Sequence, residues 1–248
     1  MNLREVIEEV PGLNRRFVYY LESRGLVGPT KIPKQRIARR DYSQEDLRTI
    51  KETWKYYQRG FALPAAYHKA TKEDRCVAYV VIQVPHEQRS RVLELLRQHS
   101  EVTEACAVYG GQEEIILRIE TPDESDVYYT LVPSLSREGI PGLQSISQAR
   151  EYFRRESGLA GEEKPVAMMA YVLMKVPGKD VGEVMERLRA FEAVKEASTI
   201  YGESDIIAKV RVADQGELDK LVMEEFHGIP AVESTRTFIA IGNLHWER

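Results

Sequence analysis

This 248-residue chain is short of the residues that make crosslinks or metal clusters. Its two cysteines, Cys76 and Cys106, are too few for a disulfide framework or a multi-thiolate site, and each reads as a small apolar filler. No apolar run approaches the roughly 18–20 residues of a membrane span. The opening Met1-Asn2-Leu3-Arg4-Glu5 lacks the apolar core of a secretory signal, so the expected location is the cytoplasm. Asparagine is scarce (Asn2, Asn14, Asn243) beside abundant Arg and Glu, a composition that leans toward thermophily. The five histidines, His68, His86, His99, His227 and His245, show no HExxH or paired-ligand spacing, and no P-loop, GxGxxG or GxSxG occurs. These absences predict no catalytic residue, no metal and no cofactor.

What is present begins with charge. The net charge of −4 conceals an asymmetry: residues 1–75 hold 16 Lys+Arg against 10 Asp+Glu, and residues 76–248 hold 19 against 29. A basic head on an acidic body suggests that only the head meets a polyanion.

In that head, Leu3, Val6, Ile7 and Val10 mark one apolar helix face, which Pro11-Gly12 ends. Asn14 can cap a second helix whose inward side is Leu13, Phe17, Val18 and Leu21. Arg15, Arg16, Tyr19 and Tyr20 are then left toward solvent. Two short helices with a tight turn are helix-turn-helix geometry, and exposed Tyr beside Arg suits phosphate and groove contact. The segment from Gly28 to Arg40 carries Lys31, Lys34, Arg36, Arg39 and Arg40 among glycine and prolines, a basic loop or hairpin in the place of a wing. Ser43 with Asp46 is a capping box for a third helix through about Arg59, Gly60 ends it, and Pro64 opens a fourth. Residues 3–72 resemble the MerR-type winged helix-turn-helix, carried by Gly12 to Leu26, Arg40 to Leu47 and Arg59-Gly60-Phe61-Ala62-Leu63. The resemblance implies contact with double-stranded DNA by Arg15, Arg16, Tyr19, Tyr20, Arg36, Arg39 and Arg40. The long dimerising helix of that family is missing, so dimerisation must come from elsewhere.

The body repeats itself. At an offset of 92, Ala78-Tyr79-Val80 falls on Ala170-Tyr171-Val172, Glu104-Ala105 on Glu196-Ala197, and Tyr109-Gly110 on Tyr201-Gly202. After a three-residue shortening, Ile140-Pro141 falls on Ile229-Pro230. Each copy reads as strand, helix, strand, strand, helix, strand, in the second copy at about 167–176, 179–190, 194–201, 205–213, 215–227 and 231–241. This order predicts an antiparallel four-stranded sheet with both helices on one face. Its bare face needs a cover, from the other copy or from another chain.

The expected fold is therefore α+β: an N-terminal all-α winged helix-turn-helix (1–75), then two ferredoxin-like βαββαβ domains (76–153 and 167–248) joined by a linker (154–166). The two copies resemble the sensing domain of the Lrp/AsnC regulators. Tyr201 to Asp205 is similar to that family's glycine-to-aspartate loop, and Thr235-Arg236-Thr237 to the threonine pair of its last strand. The resemblance implies a small-molecule effector, usually an amino acid, at Gly202, Asp205, Thr235 and Thr237. In the first copy Glu113 replaces the loop acid, and Ile146 and Gln148 the threonines. The resulting expectation is a transcriptional regulator acting as a homodimer or higher homo-oligomer, with no membrane partner. The alternatives are an enzyme resembling siroheme decarboxylases, which share this architecture, and an architectural DNA binder without effector.

Overall fold

The computed structural model describes residues 1–33, 39–72, 75–110, 113–127, 132–137, 139–140, 143–155 and 168–248. It divides into two compact units, Met1–Asp74 and Arg75–Arg248.

In the first unit α1 (Leu3–Glu9) starts at Asn2, whose side chain accepts from the Arg4 and Glu5 N–H groups while Glu5 returns to the Asn2 N–H. Such reciprocal bonding satisfies donors that a helix start leaves orphaned. Gly12, at φ +74°, reverses the chain, and α2 (Arg15–Ser23) begins where Asn14 Oδ1 accepts from Phe17 N at 3.0 Å. Val6, Leu13, Phe17, Val18 and Leu21 bury their shared face against Tyr42, Leu47, Ile50 and Trp54. The expected all-α head contains a hairpin: β1 (Thr30–Ile32) pairs antiparallel with β2 (Arg39–Asp41), Thr30 opposite Asp41. The loop joining them, residues 34–38 and with it Arg36, lies outside the described residues. The Ser43/Asp46 capping box opens α3 (Gln44–Gln58), and a proline in the first turn opens α4 (Leu63–Thr71).

The second unit runs β3 (Cys76–Gln83), α5 (Arg89–Leu96), β4 (Val102–Tyr109), β5 (Glu113–Thr121), α6 (Glu124–Asp126), α7 (Val132–Arg137) and β6 (Leu143–Arg154). It continues with β7 (Met168–Lys175), α8 (Val181–Ala190), β8 (Val194–Ile200), β9 (Ile206–Val212), α9 (Gln215–Lys220) and β10 (Ser234–Glu247), a π-helical turn at Leu221–Phe226 extending α9. Two boundaries differ from the sequence reading. Arg154 belongs to β6, and the Arg155 N–H donates to Lys195 O at 2.8 Å, so the strand runs into the stretch read as linker; residues 156–166 lie outside the described set. Strand β10 also continues to Glu247, six residues past the expected end.

The extension of the last strands explains the architecture. After pairing with β3, β6 passes Ala149 and pairs with β8; after pairing with β7, β10 passes Ile239 and pairs with β4. Each half thus lends its last strand to the other, and eight strands close in the order β10-β4-β5-β3-β6-β8-β9-β7. Closure leaves no unpaired edge. Period-two alternation divides the apolar residues. Val80, Ile82, Val102 and Leu117 face one helix-covered core, while Ala170, Val172, Met174 and Val210 face another. Their neighbours Val77, Tyr79, Cys106, Ile116, Met169, Tyr171, Ile207 and Phe238 meet inside the barrel. The sheet faces cover one another within one chain.

Candidate functional site

On the first unit Arg15, Arg16, Tyr19 and Tyr20 are exposed along one side of α2. Two of the aromatics hold cations. The Arg40 guanidinium lies 4.8 Å from the Tyr19 ring centroid, and that of Arg24 lies 5.2 Å from Tyr20. Arg40 Nε also donates to Glu22 Oε2 at 2.7 Å, and the Tyr42 hydroxyl donates to the other Glu22 oxygen. The bond to Glu22 raises the Arg40 pKa, and burial with the Glu22 bond pushes the Tyr42 phenol up. Glu22 therefore fixes Arg40 in place, and Arg39 beside it is exposed. Arg4, Arg15, Arg39 and Arg40 line an open hollow with Asn2 and Tyr19, bringing α1, α2 and β2 to one basic surface.

The barrel interior carries charges that sequence reasoning passed over. Glu104 and Glu196 are 1% and 2% exposed, and each takes its partners from the opposite half. Glu196 Oε1 accepts from Tyr79 Oη at 2.5 Å and from Arg118 Nε at 2.7 Å. Glu104 Oε1 accepts from Tyr171 Oη at 2.5 Å and meets Lys209 Nζ at 2.6 Å. Burial works against the Arg118 charge, but Glu196 and a hydrogen bond to Glu120 outweigh it and hold the pKa above the ordinary value. Burial prevails at Lys209, whose pKa falls despite Glu104. It also lowers that of His245 and pushes the Cys106 thiol up to about 12. The signal in the sequence was an acid at the same place in both repeats, within strands otherwise rich in apolar residues.

The four expected effector residues lie in two places. Gly202, at φ +146°, sits in the β8–β9 turn, where a Cβ would stand 3.5 Å from Ser147 Oγ of the other half. Asp205 is occupied by its own half: its Oδ2 accepts from Val176 N at 2.9 Å and meets Lys175 Nζ at 3.1 Å. Thr235 and Thr237 stand opposite Met174 and Val172, sharing the helix-covered face of the sheet. There Thr235 Oγ1 meets His227 Nε2 at 3.0 Å. On the other face of β10, Phe238 turns into the barrel with Ala240 while Arg236 stays exposed; the sequence reading singled out neither Arg236 nor Phe238 as a site residue. Arg236 Nη2 meets Glu114 Oε1 at 3.1 Å, and the Phe238 ring occupies the space at Gly110, where a Cβ would come within 2.2 Å of it. The register also places Glu114, not Glu113, as the counterpart of Asp205, since Val108 pairs with Glu114 as Ile200 bonds to Asp205. The first-half turn is one residue longer, which shifts the alignment by one.

Among the described residues no helix is long and apolar enough to cross a membrane. Comparison with known proteins now adds to this geometry. Residues 169–245 match the Lrp/AsnC ligand binding domain family. The HTH-type transcriptional regulator FL11 of Pyrococcus abyssi is 31% identical over 75 residues, covering 30% of this chain and 49% of that protein, so the chain spans about half the length of this curated relative. A crystallised hypothetical protein from Pyrococcus horikoshii is 39% identical over 30% of this chain and 89% of its own, with a TM-score of 0.29. The siroheme decarboxylase NirDL is 12% identical over 96% of this chain and 89% of its own, at a TM-score of 0.51, a likeness of fold alone. The match at residues 169–245 is therefore to an Lrp/AsnC ligand binding domain, in a chain that has HTH-type transcriptional regulators among its relatives.

Proposed function

We propose that the protein is a sequence-specific DNA-binding transcriptional regulator. In this reading a winged helix-turn-helix head is followed by two Lrp/AsnC-type modules that answer to a small metabolite such as an amino acid. The observation that carries it is the basic surface of the first unit, where α2 exposes Arg15, Arg16, Tyr19 and Tyr20 and β2 presents Arg39 and Arg40 beside them. Cations and flat donors on one short helix match what phosphate and groove contact require. The protein acts without catalysis, as a homodimer or higher oligomer on an inverted repeat, because one head per chain reads only one half-site. A second chain has to dock outside the barrel interior, where the two halves already cover each other.

The effector is assigned to the Gly202 turn against β6. There a small residue, Ser147, stands off the glycine, whereas the matching place at Gly110 is filled by Phe238. Ser147→Phe, which copies the filled state, is expected to abolish any rise in melting temperature given by an amino-acid panel and to leave DNA binding intact.

Gel-shift titration on selected genomic fragments at several salt concentrations tests the DNA reading. Arg39→Ala is expected to weaken binding to all sequences alike and to reduce the salt slope by about 0.9. Unchanged affinity and slope in Arg15→Ala and Arg39→Ala would remove this surface from the interface. A full chain that retards no DNA yet decarboxylates siroheme would replace the reading with an enzymatic one.

A further inference from the structure

The polar cluster around Glu104 leaves two enclosed atoms without a partner. Glu104 Oε1 takes both Tyr171 and Lys209, while Oε2 has no hydrogen-bond partner, although the residue is 1% exposed. The His245 Nε2 is likewise buried and unpartnered. Glu247 stands directly opposite Glu104 in the β10–β4 ladder, and like charges in that position repel. One ligand atom from each of Glu104, His245 and Glu247 lies within 4.8 Å of the others.

Strand β10 reaches this arrangement through an irregularity. Its register against β4 shifts between Ala240 and His245, a stretch that contains Gly242 at φ +24°. After the shift His245 pairs with Cys106 and therefore shares the interior face with Glu104. Two carboxylates and an imidazole are oxygen and nitrogen donors of the kind taken by first-row divalent cations.

We propose that Glu104, His245 and Glu247 form a binding site for one first-row divalent cation per chain, of the zinc or cobalt class. Ligands about 2.0–2.2 Å from a tetrahedral metal stand roughly 3.3–3.6 Å apart, inside the 4.8 Å that bounds these atoms, so the side chains close inward on binding. His245 and Glu247, both only partly enclosed on the terminal strand, supply that movement. Lys209 is the resident competitor. Its Nζ bridges Glu104 Oε1 and Glu247 Oε2, at 2.6 and 2.8 Å. The cation takes the remaining lone pairs, since each carboxylate offers about four. Arg154 and Arg211, which also approach Glu247, limit the affinity by repulsion.

The test is titration of the chelator-treated full chain with Co2+, followed by visible absorption, then displacement by Zn2+. The expected result is one equivalent bound per chain. His245→Gln and Glu247→Gln should each weaken it about tenfold or more, as loss of a ligand or its support does elsewhere, and leave the unfolding midpoint near that of the parent. Lys209→Met, which removes the resident cation, should tighten binding. Absence of a one-equivalent absorption change would overturn the proposal, and so would affinity unchanged in His245→Gln.

Discussion

The two halves of the barrel solve one problem with different residues. In each, a buried glutamate on the second strand reaches across to a tyrosine and a cation of the other half: Glu196 to Tyr79 and Arg118, Glu104 to Tyr171 and Lys209. Arginine brings a fork of donors. Arg118 also serves Glu120 and, at 3.0 Å, Thr103 Oγ1, so its guanidinium is well occupied. Lysine brings a point charge on a flexible stem, and one oxygen of Glu104 remains unserved. Glu196 Oε2 likewise has no hydrogen-bond partner, but a second cation, Arg154 Nε, stands 3.6 Å from it. Where lysine stands, burial loosens the proton of the cation. The same scaffold thus carries two clusters of like layout that differ in the number of donors their cations bring.

The largest expected effect that would break this contrast comes from the acids. Glu196→Ala strands the Arg118 guanidinium, 1% exposed, with a single carboxylate, and should destabilise the barrel by about 3 kcal/mol. Glu104→Ala leaves the more flexible Lys209 with Glu247, so about 1–2 kcal/mol is expected. Denaturant unfolding of a Trp54→Phe chain measures both, because Trp246 is then the sole tryptophan and reports on the barrel. Equal losses would mean that the two clusters are equivalent after all.

A second, intermediate effect separates the two turn glycines. Gly110→Ala drives a methyl into the Phe238 ring and should cost about 1–3 kcal/mol, part of it recovered in combination with Phe238→Leu. Gly202→Ala meets backbone strain, on the order of 1 kcal/mol, and should show no coupling to Phe238. The smallest effect comes from exchanging the cations. Arg118→Lys forfeits hydrogen bonds and should cost about 1 kcal/mol, whereas Lys209→Arg should stay within that range and fill the free oxygen of Glu104. A larger loss in Lys209→Arg than in Arg118→Lys would show that the second cluster is the tighter one.

Much of this was legible in the sequence because local rules wrote it there. The caps at Asn14 and Ser43, the apolar faces of α1 and α2, and the alternation in the strands each depend on residues a few positions apart. The buried charges were not, because Glu104 reads as a surface residue until a strand from the other half is laid beside it. Nor was the face of the threonine pair, because the period of two that turns Phe238 inward sends Thr235 and Thr237 to the helix-covered face, and only the pairing of β10 with β7 shows which is which. The path of β10 beyond residue 241 depends on its pairing with β4, a contact between opposite ends of the unit that no local pattern encodes.

The exchange of last strands has a consequence for how such a molecule changes over generations. When two identical subunits build a paired site, one codon alters both copies at once, and a damaging change is doubled. Here the facing halves are written separately. Phe238 closes one turn while Ser147 leaves the other open, and Arg118 stands on one side where Lys209 stands on the other. Because the halves are tethered, their contact also persists at any dilution, at an effective concentration on the order of millimolar for short linkers. One half is free to specialise without the other losing its support.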